Sequence, residues 1–518
     1  MKTELKKTDP TLKENFAVHL FKLKPSALKP GTLGVALAIA IAGCATVPPD
    51  RNIYPQQDMA KVQLAAGIKL ASEGWPDKQW WTQYADPQLN SLIAQALAGS
   101  PSLEIAAARI DAAHATLEFN GADKAANVNL NTQGNRQRYS SNGLFPAPIG
   151  GNYFTETVVQ VQARYDFDWW GKHRAQIASA LGEVNARRAD YAQAEQTLAA
   201  SIAQSYFNLQ GGWARLENLR QTVATQKNIV TDKSRRIAGG LGTIDQQRMA
   251  EGELSTLNKQ VAQLEAQVAT EREVLRALVG ADGSALADLK PQAIPSAPHA
   301  LPAQLGMDLL ARRADLQAAR WRVEASLSQI EVAQAAFYPD VSINGAIGLD
   351  SLSLSHLLEN SSRTLFAGPA LTLPLFDSRR LEARLGSVRS ERNELIADYN
   401  QSVLNAVRDV AQQALSVRGL EQQIAEQDEV IRANRDLLKT AQAKFKQGLA
   451  DRGSVLNAEL ALSRQQDISL QLRNQQLQTE VALTKALGGG YRADSGPAPT
   501  PTTANTAIGA ATVAQTTK

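Results

Sequence analysis

The stretch ETVVQVQARYDFDWWGKHRAQIASALGEV, Glu156–Val184, changes its hydrophobic period half-way along. In its first part Val159, Val161, Ala163, Tyr165 and Phe167 share one side, and Gln160, Gln162, Arg164 and Asp166 share the other. That is the two-residue period of a strand with one apolar face. After Gly171 the apolar residues Ile177, Leu181, Val184, Tyr191, Leu198, Ile202 and Leu209 take the a/d spacing of a coiled coil. The chain therefore passes straight from an amphipathic strand into a helix over about 172–238, which at 1.5 Å per residue reaches roughly 100 Å. A single globular domain has no use for that length. After a Gly-rich turn at 239–243 the helix returns to Gly280, with Leu254, Leu257, Val261, Leu264, Val268, Leu275 and Leu278 on its stripe and Glu271 as the one break.

The same plan is written twice. The first repeat, 88–280, has a helical stretch near 88–124, alternating stretches near 126–138 and 156–168, and the helical hairpin 172–280. The second, 307–488, has a helix near 307–336, alternating stretches near 340–349 and 365–375, and the hairpin 378–488 with its turn near 447–451. Trp170 corresponds to Phe376, Leu209 to Leu415, Gly240 to Gly448 and Gly280 to Gly488. In the other alternating stretches Val128 and Leu130 oppose Asn127, Asn129 and Asn131, while Val341, Ile343, Ile347 and Leu349 oppose Asp340, Ser342 and Asn344. Segments of about 10 residues, apolar on one side, suit a transmembrane β-barrel with a wet interior; a half-buried soluble strand has the same period. Four strands per chain fall short of the roughly eight that close a membrane barrel, and an open edge in lipid leaves backbone groups unsatisfied. Membrane strands here imply a barrel shared between chains, eight strands in a dimer or twelve in a trimer.

Composition excludes other classes. Aromatic residues make up 5% of the 518 residues and the formal net charge is +3, so nothing points to a nucleic-acid partner. The five histidines are scattered without metal-ligand spacing, and no phosphate loop or nucleophile elbow is present, so no catalytic residue, metal or soluble cofactor is expected and the chain is not read as an enzyme.

At the amino end, scattered lysines precede the apolar run LGVALAIAIA, Leu33–Ala42. The run is shorter than the about 20 residues that span a bilayer, and the pattern is that of a secretory signal. The long basic region points to a start downstream of Met1. The run ends in IAGC, Ile41–Cys44, which holds the only cysteine. It resembles the lipobox of bacterial lipoproteins and implies cleavage before Cys44, with N-acyl and S-diacylglycerol (palmitate-type) chains on that residue. Ala45 in place of Asp implies sorting to the outer membrane. The expected organisation is a signal peptide over 1–43, a lipidated segment over 44–87, the two repeats separated by a linker at 281–306, and an Ala/Pro/Thr-rich flexible tail over 489–518.

Several motifs now add to one resemblance. WWTQYADPQLNSLIAQALAGSPSL (Trp80–Leu103), FDWWGK (Phe167–Lys172), RRADLQAAR (Arg312–Arg320), FYPD (Phe337–Asp340) and LPLFDSRR (Leu373–Arg380) resemble, in family order, those of TolC/OprM-type outer membrane efflux proteins in their NodT-like lipoprotein branch. The resemblance implies a mainly α fold with membrane β: a homotrimer whose long helices form a periplasmic α-barrel continuous with a 12-stranded β-barrel in the outer membrane. It also implies a mixed α/β equatorial band from residues around 280–305 and the chain ends. The implied role is the outer-membrane channel of a tripartite pump, joined through a periplasmic adaptor (membrane fusion) protein to an inner-membrane RND- or MFS-type pump. It would export drugs or other small toxic compounds; a channel for type I protein secretion is the alternative in the same fold.

Within the same resemblance the turns GGLGTID (Gly239–Asp245) and QGLADRG (Gln447–Gly453) lie at the periplasmic tip. Gly240, Leu241, Gly448 and Leu449 are the candidate adaptor contacts, with helix capping as the plain alternative for the glycines. Asp245 and Asp451 are candidates for a periplasmic gate, with Arg452 as a latch; capping of the returning helix is the plain alternative for Asp245.

Overall fold

The computed structural model describes residues 47–58, 75–280, 286, 288–295, 309 and 311–492. The signal segment, Cys44 and the tail beyond residue 492 lie outside the described residues.

The first repeat comprises α1 (Pro87–Gly99), α2 (Pro101–Ala122), β1 (Asn127–Arg138), β2 (Tyr153–Phe167), α3 (Lys172–Ala238) and α4 (Ile244–Val279). The second comprises α5 (Ala314–Ala335), β3 (Asp340–Ser351), β4 (Arg363–Thr372), α6 (Ser378–Lys446) and α7 (Arg452–Ala486). The helical stretch expected over 88–124 is two helices. Ser100 adopts φ −78°, ψ 124° between them, because a residue before proline is pushed out of the α region and Pro101 then opens the next helix.

The strand-to-helix junction of FDWWGK has a local cause. Asp168 accepts the backbone N–H of His173 at 2.9 Å and of Arg174 at 3.0 Å, satisfying donors that the first turn of α3 leaves open. Gly171 turns the chain there with φ +73°. Trp170 stacks on Tyr338 with ring centroids 4.5 Å apart and donates its indole N–H to the Pro339 carbonyl at 2.9 Å. The first junction is thereby fastened to the approach to β3 in the second repeat.

Along the helices α3 packs against α2, α4, α5 and α7, while α6 packs against α5 and α7. Where α3 crosses α5, a Cβ added at Gly182 would stand 2.9 Å from that of Ala325, so these backbones approach closely. The largest core lies near the middle of the molecule, where Trp80, Trp81, Tyr84, Tyr206, Phe207 and Leu275 are buried together. Asp86 there accepts the N–H groups of Gln88 and Leu89, capping α1, and takes the Tyr206 hydroxyl at 2.5 Å.

Of the expected α/β band around 280–305, residues 280, 286 and 288–295 are among the described residues. Residues 288–295 pair with no strand of the described chain. Side-chain amides take their backbone groups instead. Gln88 accepts from Lys290 N–H and donates to its carbonyl, and Gln210 accepts from Gln292 N–H.

Candidate functional site

The four strands form one antiparallel sheet in the order β1-β2-β3-β4. Each repeat supplies one hairpin, and β2 pairs with β3 to join them. The register aligns residues by kind. Leu130, Val161, Ile347 and Leu365 form one continuous cross-strand row. The next residue along gives the opposite face, where Asn131, Gln160, Gly348 and Thr364 align. Asn127 lies opposite Arg164, which lies opposite Asn344, and Arg164 is paired with Asp166 at 2.8 Å. One face thus carries the apolar row, and the other is an amide-rich wall with the Arg164–Asp166 pair and further carboxylates at Glu156, Asp340 and Asp350.

Aromatic side chains mark both ends of the sheet. Tyr139 packs against Phe145 and Phe154 at one end; Tyr165, Phe167 and Trp169 make contacts in series at the other. Tyr165 and Phe167 lie on the apolar face, where aromatic residues at the end of an apolar band suit a strand surface facing lipid, whereas Phe154 lies on the amide face. Among the described residues no helix is long and apolar enough to cross a membrane. Along their outer edges β1 and β4 pair with no other strand of the described chain.

The far ends of the long helices are built alike. At the end of α3, Gly240 N–H donates to Ile237 O at 2.9 Å and Leu241 N–H to Arg236 O at 2.7 Å. At the end of α6, Gly448 N–H donates to Phe445 O at 3.0 Å and Leu449 N–H to Lys444 O at 2.8 Å. Both are Schellman turns, in which the residue after the cap is left-handed; Gly240 and Gly448 have φ of +72° and +75°. The leucines that follow stay in solvent, Leu241 at 76% and Leu449 at 73% exposure.

The two aspartates of these turns are used differently. Thr243 occupies the cap of α4 without a side-chain hydrogen bond, and Asp245 sits inside the first turn, so the capping alternative for Asp245 is not what the structure has. Asp451 caps α7, accepting Ser454 N–H at 2.9 Å and the Ser454 hydroxyl at 2.7 Å. It also pairs with Arg236, the last-turn arginine of α3, and so joins the two hairpins. The Ser454 hydrogen bond first, then Arg236, hold the Asp451 carboxyl at about 2. The expected latch, Arg452, opens α7 and is exposed; the arginine paired with Asp451 is Arg236. Sequence reasoning missed it because nothing distinguishes Arg236 from its neighbour Arg235 until the hairpins are packed.

A second group that sequence reasoning missed lies deep in the helices. Glu480 of α7 is 1% exposed, and burial, with the Glu421 charge adding to it, pushes its carboxyl up to about 8. Its place between buried Leu477, Val481 and Leu483 gives no sequence signal beyond one acid in an apolar run.

Residues 92–281 and 305–489 match the outer membrane efflux protein family. The chain belongs to that family. The multidrug resistance outer membrane protein MdtP of Escherichia coli O6:H1 is 39% identical over 461 residues, which is 88% of this chain and 94% of MdtP. Among solved structures, the outer membrane protein VceC of Vibrio cholerae is 31% identical with a TM-score of 0.72, covering 81% of this chain and 100% of VceC. The outer-membrane channel OprN is 26% identical with a TM-score of 0.76, covering 86% of this chain and 99% of OprN. The efflux protein is therefore an outer-membrane channel component, and members of its family work as trimers within multicomponent pumps. Three copies of its four-stranded sheet make a barrel of twelve strands, with the apolar row outward and the amide wall inward.

Proposed function

We propose that this efflux channel exports drugs and other small toxic compounds as the outermost part of a tripartite pump, anchored by acyl chains on Cys44. The observation that carries the reading is the sheet register: one uninterrupted apolar row backed by a polar wall of amides and carboxylates. Such a wall offers a wet passage without a cluster of metal-ligating side chains among the described residues, which suits chemically diverse small solutes better than a dedicated ion. The name of the MdtP relative supports the substrate class.

Energy comes from elsewhere. The pump partner in this reading is an inner-membrane transporter of RND or MFS type, reached through a periplasmic adaptor. The exposed Leu241 and Leu449, presented on matched turns, are the adaptor contact, and the Asp451–Arg236 pair beside them is part of the resting gate. Asp245 and Arg452 stand at the same tip as further gate candidates.

The test has two parts. Purified protein in planar bilayers should give discrete single-channel currents, and cells lacking it should regain drug resistance when it is restored. A protein that inserts but carries no current refutes the channel. Leu241→Glu with Leu449→Glu should lower adaptor cross-linking several-fold while the trimer persists. Unchanged cross-linking and unchanged resistance remove the contact role.

A further inference from the structure

The first described residues, 47–58, form no helix or strand but lie along α6. Val47 packs beside Phe337, Leu381 and Leu385, at the foot of the sheet. Next, Arg389 donates to the carbonyls of Pro48 at 2.6 Å and Pro49 at 3.3 Å. Arg392, only 3% exposed, forms an ion pair with Asp50, and Arg389 stands 3.5 Å from the same carboxylate.

Further along α6 the recognition changes from charge to backbone. The Asn393 side chain donates to the Asn52 carbonyl at 2.6 Å and accepts the Tyr54 N–H at 3.4 Å. Asn400 repeats the arrangement, donating to the Pro55 carbonyl at 2.9 Å and accepting the Gln57 N–H at 2.7 Å. The step lengths agree. Seven helical residues, Asn393 to Asn400, rise about 10.5 Å. Three extended residues, Asn52 to Pro55, span about 10 Å. Two amides on one helix face therefore read an extended chain in step, through its backbone alone. Side chains of the strap that meet the helix include Val47, Asp50 and Gln56, the last hydrogen-bonded to Tyr399.

We propose that residues 47–58 are a strap whose docking completes α6, and whose register sets how far the amino end of the chain reaches toward the sheet. With the strap docked, Arg392 is 3% exposed and Asp50 is its carboxylate, so removing that carboxylate alone leaves a buried charge unpaired, which is far more costly than an exposed one. Asn393 and Asn400 lose their backbone partners at the same time. Cys44 lies three residues before Val47, within about 11 Å along an extended chain, so the strap delivers it to the foot of the sheet. That last consequence rests on the reading of Cys44 as an acylated amino end; the docking itself does not.

The experiment uses the full mature trimer in detergent and limited trypsin digestion. Arg51 is the only tryptic residue of the strap, and it is exposed. Cleavage at Arg51 should be slow in the wild type. It should be at least ten-fold faster in Tyr54→Pro with Gln57→Pro, which removes the two N–H groups that the asparagines accept. Tyr54→Ala with Gln57→Ala, which keeps both, should match the wild type. Equal cleavage in all three overturns backbone recognition. In parallel, Asp50→Leu should lower the yield of heat-resistant trimer, and Asp50→Leu with Arg392→Met should restore it. A single variant as resistant as the wild type, or a double variant no better than the single, overturns the claim that docking completes α6. Palmitate labelling and conductance are measured separately, so failure of the strap is distinguishable from failure of acylation or of the channel.

Discussion

At the residue scale the informative groups are charged ones whose surroundings differ sharply. Asp451 is half exposed, and its low pKa comes from hydrogen bonds to Ser454 and from Arg236. Exposed pairs typically contribute about 0–1 kcal/mol, so Asp451→Ala or Arg236→Ala should leave the trimer folded. Each should raise single-channel conductance if the pair ties the hairpins at the tip. Because the folded carboxyl titrates below its unfolded value of 3.8, the pair's contribution is present above that value. It is lost as pH falls toward 2. Wild-type conductance should therefore show no opening step attributable to this pair between pH 5 and 8. A wild-type step in that range that Asp451→Asn abolishes refutes the assignment. Glu480 behaves in the opposite sense. Between 4.5 and about 8 the folded chain keeps a proton that the unfolded chain has released, so stability falls as pH rises through that window. Glu480→Gln should flatten this dependence, stabilising the protein at pH 8.5 by an amount on the order of 3 kcal/mol and hardly at all at pH 4.5. Thermal midpoints at the two pH values check it. Equal shifts at both would show that burial of the charge is not the cause.

At the element scale, the glycine inside α3 and the glycine after its end do unlike work. Gly240 needs a left-handed backbone but has open space around it, whereas Gly182 has ordinary dihedrals and a crowded neighbour in Ala325. Gly240→Ala should cost about 1–2 kcal/mol, the penalty of a left-handed residue with a Cβ. Gly182→Val must push α5 away from α3, and should abolish heat-resistant trimer on gels. If Gly182→Val were the milder of the two, the close approach would be wrong. The turns were legible in the sequence because a Schellman motif is local: a glycine at the end of a long apolar stripe. The strands were legible because each face meets a single environment, so alternation survives in Val159–Phe167 without tertiary information. The break at Ser100 was present in the sequence as Pro101, but an apolar period running through it concealed it. The pairing of Arg236 with Asp451 and the clasp of Asn393 on the strap leave no period at all. They join segments far apart in the chain, and each of their residues, alone, looks like solvated helix surface.

At the scale of the whole molecule the sheet imposes the assembly. The unpaired outer edges of β1 and β4 require partners before the strands can lie in lipid. Mass measurement in detergent should give a trimer, and a well-folded monomer would contradict the shared barrel. The two faces also predict an asymmetric response to charge. Leu130→Lys or Ile347→Lys, in the apolar row, should each cost about 2–4 kcal/mol if near the bilayer midplane. Asn129→Lys or Gln160→Lys on the other face should assemble normally and shift ion selectivity instead. Assembly defects confined to the Asn129 and Gln160 variants would mean that the inside and outside of the barrel have been exchanged.

The pairing of β2 with β3 has a consequence for how the channel is made. Phe167 lies opposite Val341, and between them the chain runs out along α3 and back along α4 before it reaches α5. The central seam of the sheet is therefore its most non-local contact, and such contacts form late because loop closure must precede any gain. The first hairpin leaves the ribosome long before its partner does. It must cross the inner membrane and the periplasm as an exposed ribbon with greasy residues on one side and unsatisfied edges. Biogenesis of this protein is then a problem of waiting: whatever escorts the nascent chain has to shield β1 and β2 until the second half arrives. A chain stopped after α4 should be a substrate for periplasmic chaperones and proteases, not half a channel.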